Sequence, residues 1–183
     1  MTEIVELITE METAIAGAPN ADAAWAEVVA ISKRGGEAIP AEIESVDSGA
    51  ESKWIARQLT QIFGSDPLPA GLTFLYFGLF AGVGPSGEDL AGFYVSGGTS
   101  ENVEPVIESP DDLTYLPEKR FLSSALLQLI RVEALGDARR YDFFDYALMF
   151  AAAALLAKFA LRELGLDKVL IVGFDSGDSA IIR

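Results

Sequence analysis

The longest helical pattern of this chain is YDFFDYALMFAAAALLAKFALRELGL, residues Tyr141–Leu166. Charged residues occur only in its first two turns and its last two turns. A helix that is apolar nearly all round belongs inside a domain rather than on its surface. We therefore expect a central buried helix over residues 142–165, with Asp142 as its N-terminal cap. Gly165 is expected to adopt the left-handed conformation that commonly ends a helix.

The apolar run inside this helix is too short to cross a membrane. Its uncharged part, Tyr146–Ala157, has twelve residues, whereas a span needs about 20. We interpret it as a core helix whose Phe144, Leu148 and Phe159 face a sheet. Alanines recur in it at helical spacing and allow another backbone to approach closely. A small-residue dimerisation seam is the alternative.

Strand patterns come in pairs elsewhere in the chain. Leu72–Ala81 and Leu90–Gly97 are rich in aromatic and branched residues and are separated by the loop-forming run GVGPSGED. Lys168–Phe174 and Ser179–Ile182 are separated by the short run DSGD. Both pairs predict β-hairpins. Because strands do not alternate singly with helices, we expect an α+β fold in which helices pack on an antiparallel sheet made of two hairpins.

Four further helices follow the 3.6-residue period. They are Thr2–Ala16, a helix capped by Asn20 that ends near Lys33, a helix from Ser48 to Phe63, and Glu118–Leu135. Ser48 and Glu51 match a capping box, and Pro117 suits the first position of the last of these helices. In that last helix we expect six residues on the buried side: Phe121, Leu122, Ala125, Leu126, Leu129 and Ile130.

Length and composition favour a single compact domain. The chain has 183 residues, of which 50% are hydrophobic, so it can bury a sizeable core. Residues 1–66 form an N-terminal helical region and residues 67–183 an α+β core. We expect the two to pack together as one unit.

The chain contains neither cysteine nor histidine. Without cysteine it has no disulfide, thiolate metal site or cysteine nucleophile. Without histidine it has no Ser-His-Asp triad and no His-ligated zinc. We therefore expect a protein that is not an enzyme. A carboxylate- or metal-dependent enzyme is an alternative, because catalysis would have to use shifted carboxylates, lysine, tyrosine or a metal on oxygen ligands.

The net charge is −15 and is unevenly distributed. Residues 70–118 hold eight acids and no base. Such a surface repels phosphate-rich partners, so nucleic-acid binding is disfavoured, and it attracts a basic protein partner. The alternative is that the acidity only maintains solubility. The acidic, amphipathic N-terminus shows no secretory signal pattern, so we expect a cytoplasmic protein, and we expect no membrane partner.

Two motifs could bind ligands but have simpler explanations. Gly82, Gly84 and Gly87 spell G-x-G-x-x-G, yet a strand rather than a helix is expected to follow, so they are better explained as hairpin-loop residues. Asp175 and Asp178 stand three apart in a tight connection, where a turn explains them better than a cation site. We therefore expect neither a cofactor nor a bound metal.

An acidic segment around Pro117, which also contains a tyrosine, is the candidate interaction site. Its members are Glu108, Asp111, Asp112, Tyr115 and Glu118. An exposed tyrosine beside charged groups is common at protein interfaces. The alternative is that this segment is an ordinary solvated loop.

Four motifs resemble uncharacterised bacterial proteins grouped near the immunity proteins of contact-dependent or polymorphic toxins. They are LTFLYFGLFAG, FYVSGG, PEKRF and GFDSGD, within Leu72–Gly98 and Pro117–Asp178. The resemblance implies a non-enzymatic role in binding and blocking a toxin, often one with a basic active surface. It assigns no contact residues. We therefore expect an acidic protein-binding domain, with a homodimeric scaffold module as the alternative.

Overall fold

The structure is a computed structural model that describes residues 2–83, 86–87, 89–99, 113–136, 141–174 and 179–182. The helices are α1 (Thr2–Gly17), α2 (Ala21–Arg34), α3 (Ala41–Glu44), α4 (Ser48–Ser65), α5 (Ala125–Gly136), a π-helix (Asp142–Leu148) and α6 (Met149–Glu163). The strands are β1 (Phe74–Val83), β2 (Asp89–Gly98), β3 (Phe121–Ser123), β4 (Val169–Phe174) and β5 (Ser179–Ile182). The fold is α+β with helices packed on a sheet, as predicted.

The five-stranded sheet has the order β3-β2-β1-β4-β5. Both predicted hairpins form, since β1 pairs antiparallel with β2, and β4 pairs antiparallel with β5. The hairpins join through a parallel pairing of β1 with β4, from Phe74 opposite Val169 to Leu79 opposite Phe174. A parallel pair requires a long crossover. Here α5, the π-helix and α6 lie within that crossover.

The central helix lies in the core, as predicted. Phe144 and Leu148 are fully buried and Phe159 is 8% exposed. By length and composition alone Asp142–Glu163 could cross a membrane, but 83% of its most apolar window is buried inside the protein. That degree of burial is typical of a core helix. α6 contacts α1, α2 and α4 as well as β1 and β4, so the N-terminal helices and the sheet share one core.

The start of the central helix differs from the prediction. Asp142 does not cap it, and the residues up to Leu148 are π-helical. The end is as predicted: Gly165 has φ 63°, and the amide of Leu166 donates to the Leu161 carbonyl at 3.0 Å. That bond satisfies a carbonyl which would otherwise lack a partner at the helix end.

The predicted capping box of α4 is wrong, because both of its side chains bond to other helices. The Ser48 hydroxyl donates to Asp22 of α2 at 2.9 Å, and the Glu51 carboxylate accepts from the Ala125 amide at 2.6 Å. Asp47 caps α4 instead and accepts from the Ala50 amide. The Asn20 cap of α2 is confirmed, since its side chain accepts from the Ala23 amide at 2.9 Å.

The predicted helix Glu118–Leu135 begins too early. Phe121–Ser123 forms β3 and pairs with β2, so the helix starts only at Ala125. Phe121 is therefore 61% exposed and Leu129 37% exposed, contrary to the prediction that both are buried. The Gln58 side chain bonds to the amide and the carbonyl of Ser123 at 3.0 and 2.9 Å, and this tertiary contact holds β3 at the sheet edge.

Candidate functional site

The solvent-facing side of α5 carries no charged residue. Leu129, Val132 and Leu135 are 37%, 58% and 45% exposed on it; we call these three residues the α5 apolar face. The surface helices α1, α2 and α4 instead expose charged residues such as Glu6, Asp22, Glu27 and Arg57. Three neighbouring exposed aliphatic side chains make this side of α5 a candidate binding surface.

The two charged residues of α5 are less exposed than the aliphatic residues of the α5 apolar face. Arg131 Nη1 lies 2.5 Å from Asp145 Oδ1, and these side chains are only 13% and 22% exposed. The same nitrogen donates to the Tyr141 hydroxyl at 3.2 Å. Glu133 is half-buried. The most exposed large side chains of α5 are therefore aliphatic.

The guanidinium of Arg131 ties α5 to the π-helix. Burial lowers the pKa of Arg131, but its hydrogen bonds to Tyr141 and Asp145 raise that pKa more, so the group stays charged. Arg131 Nε is buried and has no hydrogen-bond partner within the part of the chain that the structure describes. Asp145 lies on the π-helix, a rare conformation that recurs at functional sites.

Gln128 fixes α5 against the sheet. Its side chain accepts from the Ala91 amide at 3.0 Å and donates to the Asp89 carbonyl at 2.7 Å. These bonds continue the ladder of β2 beyond the point where β3 ends. Together with the Glu51 carboxylate on the first amide of the helix, they hold α5 in one position.

A small cavity lies on the other side of the π-helix. It has a volume of about 130 Å³ and is lined by Ile8, Glu12, Tyr146, Phe150, Ser179 and Ala180. Burial raises the pKa of the Glu12 carboxyl above its ordinary value. The ring of Tyr146 stacks on Phe174 with centroids 5.0 Å apart. The cavity thus combines a half-buried carboxyl group with aromatic and aliphatic walls.

A larger cleft lies where the start of α2 meets α4 and the end of α6. Its volume is about 300 Å³, and its charged lining residues are Asp22, Lys53, Arg162 and Glu163. Asp22 already accepts from the Gly49 amide at 2.8 Å. Because acids and bases alternate around this cleft, it favours neither an anion nor a cation.

The predicted acidic interaction site is only partly within the described residues. Glu108, Asp111 and Asp112 lie outside them, so their role stays a prediction. Glu118 is exposed. Tyr115 is 4% exposed, and its hydroxyl donates to the Asp66 carbonyl at 2.6 Å. The exposure that we expected of this tyrosine is therefore wrong: its ring packs inside, 6.4 Å from that of Phe63.

Tyr115→Phe should lower the free energy of unfolding at neutral pH by about 1 kcal/mol, because it removes one buried hydrogen bond. Burial, followed by the charge of Asp66, raises the pKa of Tyr115 from 10.0 to about 12. At a pH between these two pKa values, Tyr115 is deprotonated in the unfolded chain but still protonated in the folded chain. The free energy of unfolding of the wild type therefore falls as the pH rises. Urea denaturation across this range should show the gap between wild type and variant narrowing; a constant gap would contradict the assignment.

The two remaining motifs lie only partly within the described residues. Gly87 has φ 84° and β2 follows it, so the G-x-G-x-x-G run lacks the helix that a dinucleotide site requires; Gly84 lies outside the described residues. Asp175 and Asp178 also lie outside them. Within the described ranges no three acidic side chains are grouped to hold a metal ion.

The α5 apolar face was missed in the sequence because α5 has apolar residues on both sides. Leu126 and Ile130 face the core, while Leu129 and Val132 face solvent. One signal was available: Arg131 and Glu133 are the only charged residues between Ala125 and Gly136. Such a sparse charge pattern is unusual for a surface helix.

Comparison of the chain with protein-family models, with curated proteins and with solved structures finds no match. The resemblance to immunity proteins therefore stays a prediction from sequence motifs.

Proposed function

We propose that this chain is a non-enzymatic, acidic protein-binding domain that docks a basic protein partner on the α5 apolar face. One observation carries the proposal: an exposed helix side without charge stands in a chain of net charge −15. Apolar side chains supply the buried centre of a protein interface, and charged groups around it steer the partner. A cytoplasmic inhibitor of immunity type, which binds a basic toxin, fits this arrangement.

A basic partner is favoured over a second copy of the chain. Two copies that each carry a net charge of −15 repel one another on approach. The three aliphatic side chains of the α5 apolar face also cover much less than the roughly 800 Å² per partner of a stable interface. A basic partner gains attraction from the net negative charge of the chain, which compensates for the small apolar centre.

The rigid attachment of α5 supports a docking role. Gln128 bonds to β2, Arg131 bonds to the π-helix, and Glu51 bonds to the first amide of the helix. A surface that is ordered before binding loses less conformational entropy on association. The partner therefore meets the α5 apolar face in its final form.

Val132→Asp should abolish partner capture. We expect the immobilised wild type to retain a basic protein from an extract of its native cells at about 0.15 M salt and to release it near 1 M, where charges are screened. An aspartate at the centre of the interface should reduce this capture at least about tenfold. The matched control is Val5→Asp on α1, where the valine is 59% exposed.

Equal capture by the Val132→Asp and Val5→Asp variants would contradict the proposal. The mass of the purified chain in solution tests the homodimer alternative. A wild type that doubles its mass with concentration, and a Val132→Asp variant that does not, would show that a second copy covers the α5 apolar face.

A further inference from the structure

The cavity between α1, the π-helix and β5 contains a carboxyl group that forms no ion pair with any described residue. Glu12 lies half-buried on its wall. Ion pairs within the described residues join Lys33 with Glu44, Arg34 with Glu10 and Glu27, and Arg131 with Asp145, and none of them includes Glu12. A half-buried carboxylate that lacks a cation loses part of its hydration, and a ligand cation would compensate for that loss.

Aromatic rings surround the same cavity. Tyr146 and Phe150 line it, and the Phe174 ring packs behind both, with centroids 5.0 and 6.1 Å away. The faces of aromatic rings attract ammonium and guanidinium groups. A carboxylate beside aromatic rings therefore selects an organic cation.

We infer that this cavity binds the side chain of a lysine from the protein partner. Its ammonium group pairs with the Glu12 carboxylate and lies against the Tyr146 ring, while its methylene groups contact Ile8 and Ala180. A lysine side chain is suited to such a site because its stem is apolar and its charge is concentrated at the tip.

The size and composition of the cavity argue against other ligands. Its volume of about 130 Å³ equals the share of about four water molecules in the liquid, which is too little for a nucleotide. An anion would meet Glu12. A divalent metal ion needs several oxygen ligands, and the described residues hold no group of three acids that could supply them.

The cavity and the α5 apolar face flank the same element. The π-helix contacts α5 through Asp145 and Arg131, and it contacts α1 as well. A partner lying across the π-helix would place an apolar segment on α5 and a lysine beside Glu12. The inference rests on the proposed function only for the identity of the molecule that carries the lysine.

The test uses small probes and does not require the partner. Nα-acetyl-lysine methylamide is titrated into the full-length ¹⁵N-labelled chain, alongside the norleucine analogue, which lacks the charge, and the arginine analogue. We expect the lysine probe to shift the amide signals of Glu12, Tyr146 and Phe150 in a saturable manner. The norleucine probe should leave them unchanged, and the arginine probe should bind more weakly because its planar head is larger.

Glu12→Gln should weaken binding of the lysine probe about tenfold, since it removes a charge-assisted hydrogen bond while keeping the shape of the side chain. The matched control is Glu6→Gln on the exposed side of α1, which changes net charge equally and should bind as the wild type does. An unchanged pattern of amide signals elsewhere verifies that each variant is folded.

Equal effects of Glu12→Gln and Glu6→Gln, no saturable shift at the cavity, or preference for the arginine probe would each overturn the inference. None of these outcomes depends on the α5 apolar face. Loss of partner capture in Val132→Asp with no lysine binding would retain the proposed function and remove only this site.

Discussion

Replacing Phe144 with alanine is expected to lower the free energy of unfolding by about 3–5 kcal/mol, which is the usual cost of truncating a buried phenylalanine. The side chain is fully buried, and its ring meets that of Phe143 edge to face with centroids 5.2 Å apart. Domains of this size are stable by only about 5–15 kcal/mol. Urea denaturation followed by circular dichroism should show the midpoint moving strongly downward.

Phe121→Ala is the matched control for this prediction. Phe121 also makes an edge-to-face contact, with Phe80 at 5.4 Å, but it is 61% exposed. We expect its replacement to cost less than about 1.5 kcal/mol, since an exposed aromatic pair contributes little beyond its own contact. Equal losses in the two variants would mean that the central helix is not the core of the fold.

Asp145→Ala is expected to lower the free energy of unfolding by about 2–4 kcal/mol. The change leaves the guanidinium of Arg131 without its ion pair at a side chain that is 13% exposed, and removing one partner of a buried pair costs more than the pair contributes. Breaking a buried ion pair usually costs about 3–5 kcal/mol. Because both side chains are partly exposed, we expect a loss at the lower end of that range. Urea denaturation at neutral pH measures it.

A double variant separates the charge effect from simple truncation. Arg131→Met combined with Asp145→Ala should recover much of the stability lost in Asp145→Ala, because no buried charge then lacks a partner. Asp142→Ala, at an exposed residue of the same π-helix, should cost less than about 0.5 kcal/mol. If the stability losses of Asp145→Ala alone and Arg131→Met alone add up to the loss of the double variant, the ion pair does not join α5 to the π-helix.

Phe144 and Asp145 both support the proposed binding surface. Phe144 anchors the π-helix in the core, and Asp145 on the same helix holds Arg131 of α5. Weakening either contact loosens the element that carries the α5 apolar face. Partner capture should therefore decrease in Asp145→Ala even at temperatures where the variant is folded, because an unanchored helix must be ordered on binding.

Sequence signals for helix ends predicted the structure correctly where the contacts involve only neighbouring residues. The Asn20 cap and the left-handed Gly165 involve neighbours only a few positions away. The capping box at Ser48 failed because the side chains of Ser48 and Glu51 found partners in α2 and α5. A short pattern cannot show a competing partner that is distant along the chain.

The π-helix at the start of the central helix was also beyond prediction. The seven residues Asp142–Leu148 are too short a stretch to reveal a period different from that of an α-helix. The tertiary contact between Asp145 and Arg131 accompanies the wider turn.

Composition predicted an acidic chain and led to the proposal of a basic partner, but it did not predict the α5 apolar face. The apolar residues of α5 occupy both of its sides, and only packing against the sheet decides that Leu126 is buried and Val132 exposed. For Tyr115 the sequence prediction was wrong. Its position in an acidic loop predicted an exposed side chain, but the ring packs inside and the hydroxyl donates to the Asp66 carbonyl.

By itself, the sequence determined the α+β class, the two hairpins and the buried central helix, because hydrophobic periodicity is a property of neighbouring residues. Tertiary structure alone decided that β1 and β4 pair in parallel, that β3 extends the sheet and that the α5 apolar face meets solvent. Those outcomes depend on contacts between residues far apart in the chain, and such contacts form only when the whole core is assembled.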